Sequence, residues 1–124
     1  MKLFTVNEAN SLLPAVAPKL SEIQRLYVLI ESFRSEARAA AGASGFGGCM
    51  QGGSGYVKTL YKVGKLTTEI HTDGIEIKDP TIGLIDFPSM RGGRVILLCW
   101  KLGEPEELAW WHETDGGFAG RLPL

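Results

Sequence analysis

An imidazole beside a carboxylate can act as a general base, hold a metal ion, or lie buried as a hydrogen-bonding residue. The sequence places such a pair at His112-Glu113. Asp86 sits between Ile85 and Phe87, where an unpaired carboxylate is expensive to bury, so it must reach solvent or a partner. Arg94 and Arg121 are candidate partners through bidentate pairing. The plain role for Asp86 is a structural salt bridge, and the functional one is an acid lining a pocket. Cys99 follows a leucine pair and precedes Trp100, a setting that suits a small buried apolar residue. As a nucleophile it would need a base, which only His112 could supply. A metal reading joins His112 with Asp86 and Glu113, or with Cys99. It lacks the paired short spacing of zinc motifs, and the other histidine, His71, falls in a helical tract. We therefore expect neither metal nor cofactor, with Asp86, His112 and Glu113 as the alternative metal set.

Trp100, Trp110 and Trp111 fall within twelve residues, a large apolar payload whose default use is core packing. Neighbours on a strand point to opposite faces, so at least one of Trp110 and Trp111 is expected inside. Gly117-Phe118-Ala119-Gly120-Arg121 is a glycine-flanked segment ending in a cation, read as a turn locked by one aromatic anchor. The candidate ligand surface is Asp86, Trp100, Glu104, Trp110, His112 and Arg121. Strand alternation puts Asp86 on a face with Leu84, His112 on a face with Trp110, and Cys99 opposite Trp100. Register is not readable, so Asp86 and His112 could share a face or oppose each other.

The elements that must position these groups follow from periodicity. Thr5-Val6-Asn7-Glu8 reads as a capping box. Apolar residues then recur every three or four positions from Ala9 to Ala37, giving a long first helix with Pro14 and Pro18 inside it. The prolines predict a bend or a restart at Pro18. Residues 42–55 hold seven glycines and read as a flexible connector, without the Gly-Lys-Ser/Thr ending of a phosphate loop. A second helix is expected from about Tyr56 to Thr72, with Gly74 as its stop and Gly64 allowing close approach to the first. Beyond Asp79-Pro80 the pattern turns to strands: Leu84–Phe87, then Arg94–Trp100 after the turn Ser89–Gly93, then Leu108–Glu113, with a short fourth about Ile75 and Ile77. The expected fold is α+β in one domain over 1–124: an antiparallel helical hairpin at about 5–72, then an antiparallel meander of three to four strands at about 75–124.

Composition narrows the function classes. Net charge is −1, without the basic excess of a nucleic-acid binder. Residues 101–124 carry two basic against five acidic side chains, which would repel a phosphate backbone. No apolar run of membrane-spanning length occurs, and Asn7, Glu8 and Asn10 interrupt any secretory core at the N-terminus. Cys49 and Cys99 form no disulfide framework and suit a reducing cytoplasm.

The segments GIEIKDP, GLIDFP, LCWKLGEP, WWHE and GFAGRLPL occur in that order. With the opening Phe4-Thr5, Glu8-Ala9 and Leu12-Leu13-Pro14, they resemble the bacterial family of domain of unknown function 2203 over nearly the whole chain. The resemblance implies a small cytoplasmic bacterial protein and assigns no activity. The residues themselves point to a non-enzymatic module, homodimeric through the helical hairpin because a short second helix cannot cover the long apolar stripe. It would bind a protein or a small molecule at the polar–aromatic surface. The alternative is a small enzyme or metal-binding protein using Asp86 and His112.

Overall fold

The computed structural model describes residues 1–44 and 53–124. Helix α1 (Val6–Ser44) and helix α2 (Gly53–Thr72) precede strands β1 (Glu76–Asp79), β2 (Leu84–Arg91), β3 (Arg94–Lys101), β4 (Trp110–His112) and β5 (Leu122–Pro123). The α+β expectation holds, with five antiparallel strands in sequence order where three or four were expected.

Thr5 caps α1, its Oγ1 accepting the Glu8 N–H at 3.1 Å. The helix does not restart at Pro18 but runs through both prolines. Each proline inside a helix costs about 3 kcal/mol. Against this, Leu13, Val16, Leu20 and Ile23 are essentially fully buried, and each such side chain contributes about 1.5–3 kcal/mol. Helix α2 lies antiparallel beside α1: Lys19 pairs with Glu69 at 3.4 Å, while Phe33 meets Tyr56 at 5.7 Å between ring centroids.

The glycine tract is shorter than expected. Helix α1 continues through Gly42 to Ser44, and α2 begins at Gly53 rather than Tyr56. Packing overrides propensity at the second end: a Cβ on Gly55 would meet the Phe33 ring at 3.2 Å, and the Thr59 hydroxyl donates to the Gly55 carbonyl. The rest of the expected connector, residues 45–52 with Cys49, lies outside the described residues. Close approach of the helices belongs to Gly55 and not to Gly64, which faces open space. Gly74 ends α2 as expected, at φ +90°.

Strand β2 runs on through Pro88 to Arg91, so the expected five-residue turn contracts to Gly92-Gly93. Both glycines have positive φ, the requirement of a two-residue hairpin turn matched to sheet twist. The third expected strand shortens to Trp110–His112, and the tail supplies β5 alongside it. Ile85, Phe87, Ile96, Leu98, Trp100 and Trp111 turn one sheet face toward Leu13, Val16, Leu20 and Ile23 of α1, forming the main core. Leu26 and Ile30 of α1 pack on Val63 of α2 in a second cluster. From Ala9 to Ile30 the apolar stripe of α1 is thus covered within the chain.

Candidate functional site

The sheet face away from α1 carries the chemistry. Across the strands Asp86 opposes Cys99, Leu97 opposes His112, and Cys99 also opposes Trp110. Opposed residues of an antiparallel pair project to the same side, so Asp86, Cys99, Trp110 and His112 share one face. Asp86, Cys99 and His112 are all buried, at 1–2% exposure.

The partner of Asp86 is His112, not Arg94 or Arg121. Both carboxylate oxygens lie 3.1 Å from His112 Nε2. The other ring nitrogen, Nδ1, lies 2.6 Å from the Glu113 carbonyl oxygen. A carbonyl only accepts, so Nδ1 carries a hydrogen. Burial raises the Asp86 pKa, outweighing the opposing influence of His112. The Cys99 thiol faces the same carboxylate, and burial, reinforced by the Asp86 charge, pushes it up to about 12. The ligand atoms of Asp86, Cys99 and His112 all lie within 4.8 Å of one another.

This geometry does not favour the thiol-nucleophile reading. A Cys–His pair needs one ring nitrogen free to take the thiol proton. Here Nε2 faces Asp86 and Nδ1 faces the backbone, and the thiol is held protonated.

The six expected site residues divide. Asp86 and His112 meet at the floor of a cavity of about 230 Å³, walled by Lys78, Leu97, Thr114, Asp115 and Phe118. Glu104 and Arg121 form a neighbouring pair at 2.7 Å, and Glu104 also accepts the Lys101 N–H. Arg121 is stacked between Trp110 and Phe118, its guanidinium carbon 4.9 and 4.8 Å from the ring centroids. Its Nε is buried without a hydrogen-bond partner. Glu104 and Trp110 border a separate hollow of about 470 Å³. Trp100 is not at the site: it lies in the core against α1, its indole N–H donating to the Pro105 carbonyl. Glu113 is not a candidate ligand either, since its side chain pairs with Arg94 at the surface. Cys99 takes its place in the cluster. Alternation already put Cys99 opposite Trp100; only the register to Asp86 was missing.

A helical hairpin against one face of a five-stranded meander, with a buried Asp–Cys–His cluster on the other face, defines a small α+β domain. A family model matches residues 2–124, and the chain belongs to that family, described as "Uncharacterized conserved protein (DUF2203)". No curated protein and no solved structure matches the chain. Among the described residues no helix is long and apolar enough to cross a membrane.

Proposed function

We propose that this domain is a binding module rather than an enzyme, taking a small ligand above Asp86 and His112 on the sheet face away from α1. One observation carries the reading: a buried ionisable pair forms the floor of a cavity instead of being sealed in the core. Such a pair is a poor source of stability, because desolvation offsets most of the attraction between its members. Its position on β2 and β4, both paired to β3, suits a rigid binding constellation. Against catalysis stand the engagement of both His112 ring nitrogens and the protonated thiol of Cys99. The module is proposed to act in the cytoplasm as a homodimer through its helices.

Replacing both members with apolar residues tests the reading. Asp86→Val combined with His112→Leu should leave thermal stability unchanged or raise it, since buried ion pairs replaced by well-packed apolar residues gain up to about 4 kcal/mol. A loss of about 3 kcal/mol or more would assign the pair to the fold and overturn the proposal.

A further inference from the structure

We propose that Asp86, Cys99 and His112 form a site for one divalent first-row transition-metal ion of borderline softness, with zinc preferred. The inference deepens the binding reading above by naming the ligand class, and it rests on that reading.

Three observations converge. First, a carboxylate oxygen, a thiol sulfur and an imidazole nitrogen from β2, β3 and β4 lie within 4.8 Å of one another. Second, His112 is oriented as a ligand. Its Nδ1–H donates to the Glu113 carbonyl, so in the neutral ring Nε2 presents a lone pair. That lone pair faces the two Asp86 oxygens at 3.1 Å, which are also electron-pair donors. A cation must lie between these donor atoms, either the proton of a hydrogen-bonded pair or a metal ion that displaces it. A ring N–H bonded to a main-chain carbonyl is the usual outer support of a metal-bound histidine. Third, the three residues are buried, which disfavours uncompensated charge. A carboxylate, a thiolate and a neutral imidazole around a divalent ion sum to zero charge.

The donor set chooses the metal class. Calcium and magnesium take oxygen ligands. One nitrogen, one sulfur and one oxygen suit zinc or cobalt in tetrahedral geometry. Three protein ligands leave a fourth position, and Asp86 and His112 border the cavity walled by Lys78, Asp115 and Phe118, from which solvent or a small anion can supply it. On binding, the thiol proton and any proton held between Asp86 and His112 pass to solvent.

Cobalt(II) serves as the probe, because its spectrum reports both sulfur ligation and coordination number. Reduced, chelator-treated, tag-free chain carrying Cys49→Ser, in which Cys99 is the sole thiol, is titrated with cobalt(II). The expected result is saturation at one equivalent, a sulfur-to-cobalt charge-transfer band in the near ultraviolet, and intense visible bands of tetrahedral cobalt. Zinc should abolish both sets of bands. Cys99→Ser should remove the charge-transfer band, and Asp86→Asn or His112→Gln should weaken binding at least about 10-fold. No charge-transfer band, or affinity unchanged in the three variants, overturns the proposal. The titration of the Cys49→Ser chain requires no buried substitution, so its outcome stands even if a variant misfolds. If it fails while the apolar double variant remains stable, the metal is lost and the binding reading survives. If that variant unfolds, the binding reading fails by itself.

Discussion

In the metal-free chain Cys99 is held as a thiol by its surroundings. Burial beside the Asp86 charge pushes its pKa up to about 12, so at pH 8 far less of it is thiolate than the roughly one in four of a free cysteine. Only the thiolate reacts with iodoacetamide. In reduced, chelated protein at pH 8, mass spectrometry should therefore find Cys99 unmodified under native conditions and alkylated in urea. Equal labelling in both would show that burial does not govern the thiol. The individual chemistry of these residues was legible in the sequence. Asp86 announced that it needed a partner because apolar neighbours flank it, and His112 announced a polar role in an aromatic tract. Their union was not legible. It depends on the offset of β4 against β3, which the intervening segment sets, and alternation gives faces without offsets.

The glycines show how an element's context decides what one methyl group does. Gly64 lies inside α2 with open space where a Cβ would project. Gly64→Ala should raise stability by about 0.5–1 kcal/mol, because alanine costs less backbone entropy in a helix. Gly83 joins β1 to β2 at φ +67°, and a Cβ there would fall 2.5 Å from the Leu102 side chain. Gly83→Ala should lower stability by more than about 1 kcal/mol through strain and overlap. Circular-dichroism melts of both variants check the pair of signs, and a loss at Gly64 would mean that its face is packed in solution. Local signals read well at this scale: the Thr5 cap and the Gly74 stop are written in neighbouring residues. Strand β5 was missed because two residues, one of them Pro123, carry no alternation. The helical start at Gly53 was missed because glycine propensity argues against it, while the contact of Gly55 with Phe33 joins residues far apart in sequence.

At the scale of the whole molecule the case for a second copy shifts from one surface to another. The stripe from Ala9 to Ile30 is covered by the chain's own sheet and by α2. Among the exposed apolar side chains of the helices are Val57, Leu60 and Tyr61 on α2 and Val28 on α1, at 65, 43, 73 and 68% exposure. Val57, Leu60 and Tyr61 recur at three- and four-residue steps and so lie on one side of their helix. Clustered exposed apolar side chains mark interaction surfaces more often than scattered ones do. Light scattering at micromolar concentration should give twice the 13.5 kDa chain mass. The double substitution Leu60→Glu with Tyr61→Glu should return the monomer mass without lowering helix content. A monomer before substitution would leave the α2 face without a partner copy and retire the homodimer.

The group that fixes the His112 ring belongs to the main chain. Substitution can erase a side-chain acceptor, but every amino acid supplies the carbonyl that Nδ1 meets at position 113. A substitution at Glu113 that keeps the backbone path can therefore lose the surface pairing with Arg94 and still leave the acceptor of the ring N–H in place. Selection that acts on this centre has little purchase on that support through point mutation. An insertion or deletion between His112 and Gly116, which would redirect the carbonyl, is the lesion to which the lineage is exposed.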